Sequence, residues 1–320
     1  MTSQVNTPYP HTPPPPPVPP LALPPLPYHR LALATGRHRW WRPLAGTAVV
    51  LVGAGLATLA ALACGEIVGA LLDRPQGADG FRKLGPVGDT AVMLGALALV
   101  LPVVLLAARW VQRRPAGTVS SVTGRVRWGW LGRCLATALP FSAVSLGIMM
   151  LLPEPAEGEA ELVWAGTAPF LTGLVTVCLL VPFQAAAEEY MFRGWLLQAV
   201  GAWFRSPWIA VLPQALLFGA AHGWGTPWGF ADLCVFGVVA GWLTIRTGGL
   251  EAAIALHVLN NLLAFGLMAG VKDGLASEET AADMGWTAFV VDVPMVCLYA
   301  GAVLWIVRRR GPATHKGAKG

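Results

Sequence analysis

From residue 44 onward the chain is a succession of apolar runs, each about long enough to cross a lipid bilayer as a helix. A bilayer core about 30 Å thick takes about 20 apolar residues. With no water in that core the backbone must satisfy itself, which leaves helices or closed barrels. Eight runs are read, at 44–72, 89–110, 129–152, 168–200, 207–226, 228–246, 250–271 and 286–308. The fourth is too long for one simple crossing, so part of it is expected to tilt or to lie in the interface. Composition agrees, since the chain is 55% hydrophobic and only 12% charged, about half the charge of a soluble domain. An ordinary soluble globule and a wholly disordered chain are therefore both excluded. The expected fold class is all-α, a polytopic membrane protein of about eight transmembrane helices.

The charges give the orientation. With the N-terminus inside, the inner segments collect Arg37, Arg39, Arg42, Arg109, Arg113, Arg114, Arg125, Arg127, Arg133, Arg205, Arg246 and Arg308 to Arg310. The outer loops hold only Arg74, Arg82, Lys83 and Lys272, and most of the acids, among them Glu154, Glu157, Glu159, Glu161, Glu278, Glu279 and Asp283. This is the positive-inside pattern, and it places both termini in the cytoplasm. The net charge of +5 is thereby topological, and no nucleic-acid partner is expected. Twelve of the 27 prolines fall between Pro8 and Pro27, a composition that cannot build a core. Residues 1–40 are accordingly expected to form a disordered cytoplasmic tail, 41–310 the membrane domain and 311–320 a basic C-terminal tail. The tail lacks the basic start and apolar run of a signal peptide. Tryptophans such as Trp40, Trp41, Trp110, Trp128, Trp130, Trp208, Trp286 and Trp305 lie near run ends, as in an aromatic belt. Gly237 and Gly241 offer a close helix-packing surface. Five scattered cysteines read as apolar packing residues, with neither disulfide nor zinc-knuckle spacing.

Function should lie where the sequence tolerates an expensive residue, because a charge at mid-bilayer costs at least about 2.5–3.5 kcal/mol. Glu66, Asp232 and Asp292 lie toward run ends, where each can reach water. Glu188, Glu189 and Arg193 form a denser cluster after the apolar run Leu171 to Ala187. On a helix Glu189 and Arg193 share a face at i,i+4, while Glu188 is turned about 100° away and left free to take a proton. A solvated cluster where the helix leaves the bilayer is the competing explanation. Only His222 and His257 of the six histidines fall among the runs, and Asn261 shares a helix face with His257. A carboxylate pair, two imidazoles and an amide suffice for hydrolysis. Glu188 with His222 could hold and deprotonate a water, and His257 with Asn261 could donate to a developing oxyanion. No Ser or Cys stands in a nucleophile setting.

The ordered motifs EExxxR (Glu188, Glu189, Arg193), FxxxH (Phe218, His222) and HxxxN (His257, Asn261) resemble the CAAX protease and bacteriocin-processing family. These intramembrane proteases are also called the abortive-infection family and include the type II CAAX prenyl endopeptidases. The resemblance spans about residues 165–270 and implies an eight-helix fold with a glutamate-dependent endopeptidase site lining a membrane cavity. By it Glu188 activates water, His222 helps to hold it, His257 and Asn261 stabilise the oxyanion, and Glu189, Arg193 and Phe218 support. No cofactor is certain: Glu188, His222 and His257 are a plausible three-ligand zinc set, although HExxH is absent, and a metal-free mechanism is preferred. The expected partners are the bilayer and a membrane-associated or lipidated protein or peptide substrate, with the oligomeric state open. Ala/Gly/Arg/Pro-rich composition suggests the cell membrane of a high-GC bacterium, where prenylated substrates are not expected. The alternative is a non-proteolytic scaffold or immunity protein that uses the same polar cluster to bind a partner helix.

Overall fold

A computed structural model describes residues 26–152, 163–312 and 314–316. Most of the Pro-rich tail and the acids Glu154, Glu157, Glu159 and Glu161 lie outside the described residues. The architecture is all-α, with helices α1 Arg42–Leu71, α2 Pro86–Trp110, α3 Trp128–Leu151, α4 Thr167–Trp203, α5 Pro207–Ala221, α6 Pro227–Thr247, α7 Glu251–Gly270 and α8 Trp286–Arg309. All except α5 are long and apolar enough to cross a membrane, which makes seven such helices among the described residues. The protein is a multi-pass membrane protein. Its outward faces are lipid-compatible: Leu51, Val52, Leu56 and Leu59 of α1 all stand exposed.

The fifth run ends earlier than expected. Instead of continuing to 226, α5 stops after 15 residues, about 22 Å at 1.5 Å per residue. Gly223 and Gly225 then take positive φ, at 102° and 34°, conformations open to residues without a Cβ. The described chain nevertheless closes on itself, because strand β1 (Leu26–Pro27) pairs antiparallel with β2 (His315–Lys316). Both ends therefore lie on one side of the bundle.

Part of the stretch expected as tail is structured. Tyr28–Leu33 form a 3-10 helix with Tyr28 and Leu31 fully buried, seated on the last turns of α4. Gly201 allows the contact, since a Cβ there would stand 2.0 Å from the His29 carbonyl oxygen. The apolar side chains of Tyr28, Leu31 and Ala32 give this stretch surface to bury, which the prolines before it lack. The belt also has an exception. Trp130 turns inward into the core with Cys134 and Phe218, while Trp40, Trp110, Trp128 and Trp286 are exposed. All five cysteines are free; Cys134 is buried, but Cys64, Cys178 and Cys297 face outward.

Two features set the depth of the site. First, α4 is 37 residues long, well beyond a single crossing. It runs 15 residues past Glu188 to Trp203, and α5 climbs the same number of residues from Pro207 to His222. Antiparallel helices of equal rise return His222 to the level of Glu188. Second, the start of α7 is clamped, because Glu251 accepts from Arg127 Nε at 2.9 Å and from Nη2 at 2.5 Å. Close packing of α5 on α6 completes the frame: a Cβ on Gly237 would lie 2.7 Å from Ala215 Cα.

Candidate active site

Glu188 and Glu189 end the regular part of α4, and the next seven residues, Tyr190–Leu196, form a π-helical turn. Such turns collect at functional sites, because the extra residue re-aims side chains. The two carboxylates diverge. Glu189 is fully buried and its Oε1 accepts from Arg193 Nη1 at 3.0 Å and from His257 Nδ1 at 2.7 Å. Glu188 Oε1 accepts from Gln184 Nε2 at 2.5 Å, and its Oε2 has no hydrogen-bond partner.

That free oxygen faces both histidines, at 4.0 Å from His222 Nε2 and 3.7 Å from His257 Nε2. The structure thus brings together Glu188, His222 and His257, as well as Asn261, whose Nδ2 donates to Gln184 Oε1 at 2.9 Å. The tautomers follow from the partners. His222 Nδ1 lies 2.8 Å from the Phe218 carbonyl, an acceptor, so it carries a proton, and in the neutral ring Nε2 then presents its lone pair toward Glu188.

Phe218 has a definite place. Arg193 is fully buried, and its guanidinium lies 4.1 Å over the Phe218 ring and 5.3 Å from that of Phe236. Phe218 also contacts both imidazoles, with ring centroids 4.6 Å from His222 and 5.8 Å from His257. One ring therefore touches the guanidinium and both imidazoles, while the Phe218 carbonyl orients one of them.

A cavity of about 340 Å³ reaches the imidazole side of this cluster, with His222, His257 and Asn261, but not Glu188, in its largely apolar wall. The loop before α8 covers its outer side: Ala281 and Met284 line the cavity, and Thr280 Oγ1 donates to the His222 carbonyl at 3.1 Å. Ser142 and Ser145 also reach the wall, but among the described residues neither hydrogen-bonds to an imidazole or a carboxylate.

The donor types of Glu188, His222 and His257 suit zinc, but their arrangement does not. A tetrahedral zinc with bonds of about 2.0–2.1 Å holds its ligand atoms about 3.4 Å apart, closer than the 3.7 Å and 4.0 Å found here. Among the described residues no group of three His, Cys, Asp or Glu side chains is set to hold a metal.

One residue of the site went unrecognised in the sequence and another was misplaced. Gln184 joins Glu188 to Asn261, and its only sequence signal is an amide one helical turn before Glu188 inside an apolar run. Asp232, read above as reaching water, is instead buried in the cavity wall with Asp292 beside it. Glu66 fits its expected edge position, accepting from the Arg82 backbone at 2.5 Å. Replacing Gln184 with leucine should lower turnover roughly ten- to hundredfold, the worth of one hydrogen bond to a charged group. Single-turnover cleavage by purified protein measures it.

Fold and site together define a polytopic membrane protein with an enclosed carboxylate–imidazole centre. Residues 167–263 match the family model described as type II CAAX prenyl endopeptidase Rce1-like, and the match contains all three motifs. The resemblance drawn from those motifs is borne out, and the match supports a CAAX-type intramembrane protease. Among curated proteins, the uncharacterized protein YyaK of Bacillus subtilis (strain 168) is 29% identical over 217 residues, 64% of this chain and 71% of that protein. No solved structure matches the chain.

Proposed function

We propose that the protein is an intramembrane endopeptidase that hydrolyses a peptide bond of a membrane-associated or lipidated protein or peptide by glutamate-activated water. The observation that carries this reading is the free Glu188 Oε2 facing the His222 Nε2 lone pair across 4.0 Å. Two acceptors cannot hydrogen-bond to each other, and at that separation both can accept from one bridging water. A water that donates to both turns its own lone pairs toward the cavity, where a carbonyl carbon would sit.

Glu188 takes the proton as the water oxygen attacks, and the tetrahedral carbon acquires an oxyanion. His257, protonated on both nitrogens, offers Nε2–H to it. Glu189 stabilises that form through Nδ1–H, the role of the carboxylate in a catalytic triad. Charge balance favours the arrangement, since Glu188 and Glu189 against Arg193 and protonated His257 sum to zero in an apolar surround. Asn261 Nδ2 carries two protons and gives one to Gln184, so the other is available to the oxyanion. Glu188 then returns its proton to the leaving nitrogen, the oxyanion re-forms the carbonyl as the C–N bond breaks, and a carboxylic acid and an amine depart, the acid passing its proton to the amine or to water.

The test is a trap. Glu188→Gln protein carrying a photocrosslinker in the cavity wall, expressed in its own membrane, should retain peptides that wild-type protein cleaves. Wild type and variant yielding identical sets of membrane peptides would overturn the reading. No step needs a metal, so incubation with EDTA should leave cleavage unchanged. Loss on chelation that zinc alone restores would show the opposite.

A further inference from the structure

Asp232 on α6 and Asp292 on α8 line the same cavity as His222, His257 and Asn261. Asp232 is 6% exposed, its Oδ1 has no hydrogen-bond partner, and the two carboxylates are close enough to interact electrostatically. Among the described residues no lysine or arginine lines the cavity. An unpartnered acid in an apolar wall is costly, and a second acid beside it adds repulsion. Neither serves the hydrolysis derived above. The approach has the same sign, because residues 277–285, which cover the cavity, carry Glu278, Glu279 and Asp283 and no basic residue. Entrance and wall together favour a cation.

We propose that Asp232 and Asp292 form a specificity subsite for a positively charged group of the substrate, a lysine or arginine side chain or a free amino terminus near the scissile bond. The proposal rests on the protease reading and adds the substrate's chemical class. Position follows from size: a sphere of the cavity's volume is about 9 Å across, and an extended chain advances about 3.3–3.6 Å per residue. The cation therefore lies within about three residues of the bond that is cut. A bound ammonium or guanidinium gives Asp232 the partner it lacks and relieves the repulsion between the acids.

The experiment measures binding, so that it does not depend on turnover. Full-length Glu188→Gln protein in detergent is titrated with fluorescent apolar hexapeptides in which lysine or its uncharged isostere norleucine is scanned through each position. The set is made with acetylated and with free amino termini, to separate a side-chain cation from a terminal one. At one position, or at the terminus, the charged peptide should bind at least about tenfold tighter than its neutral counterpart. Adding Asp232→Asn and Asp292→Asn should bring that ratio to one. The ratio, and not the absolute affinity, is the readout. If the double variant does not assemble, Asp292→Asn alone, at the less buried acid, should lower the ratio. A ratio of one in the parent, or one that the asparagine variants leave unchanged, overturns the subsite. A charge preference that the variants remove, in a protein whose wild type cleaves none of these peptides, upholds the subsite while counting against the protease reading.

Discussion

Glu188→Gln should lower cleavage at least about a thousandfold, within the range of general acid–base catalysis, and leave the protein assembled in the membrane. Glutamine keeps the shape of the side chain and an oxygen to accept from Gln184, so the link through Gln184 to Asn261 survives. What it loses is basicity at the oxygen that faces both histidines. Stability should change little, since the substitution removes a buried oxygen charge without a hydrogen-bond partner but also one of the two carboxylates that balance Arg193 and His257. Mass spectrometry of membrane peptides reads the first effect, and size-exclusion chromatography with a thermal melt in detergent reads the second. A variant that cuts at the wild-type rate would remove Glu188 from the role of base. One that no longer elutes as folded protein would assign Glu188 to the frame and not to the chemistry.

Contacts within one helix were legible in the sequence, and those between helices were not. The Glu189–Arg193 pair follows from i,i+4 spacing, and the π turn that holds it preserves the contact at 3.0 Å. The link from Glu189 to His257 spans 68 residues, and no local pattern announces it. Depth was the harder quantity. Measured from the expected span ends, His222 and His257 fall at different levels, yet both reach Glu188. Their common level depends on the overrun of α4 to Trp203 and on the Arg127 clamp at Glu251, which no single span contains. Asp232 was misplaced for the same reason: five residues into α6 reads as an edge, but the loop over Ala282 covers that edge. Gln184 escaped notice because an amide becomes informative only once its two partners are known. Composition, by contrast, gave the all-α membrane class directly, since nearly every run of the chain is apolar over a bilayer's thickness.

The largest effect on stability is expected at Arg193. Its side chain is fully buried; Nη1 pairs with Glu189 at 3.0 Å, while Nε and Nη2 have no hydrogen-bond partner. The rings of Phe218, Phe236 and Phe192, with centroids 4.1 Å, 5.3 Å and 5.9 Å away, hold the rest of the charge. A desolvated contact of this kind is worth about 2 kcal/mol or more. Arg193→Met fills much of the volume but takes away the guanidinium of the pair and leaves Glu189 with His257 Nδ1–H alone, and breaking a buried pair from one side costs about 3–5 kcal/mol. The variant should therefore accumulate poorly and aggregate at temperatures that wild type survives. Glu189→Gln with Arg193→Met removes both charges, and substituting apolar or neutral groups for a buried pair is often neutral or stabilising. The double variant should accumulate like wild type. It should still fail to cleave, because glutamine opposite His257 Nδ1 gives the imidazolium no countercharge while the oxyanion forms. Stability and catalysis thus part company in one pair of variants, measured by thermal aggregation in detergent and by peptide cleavage. If Arg193→Met proves as stable as wild type, the ion pair is not what holds α4 in place. A double variant that regains full activity would show that Glu189 does nothing for His257 beyond packing.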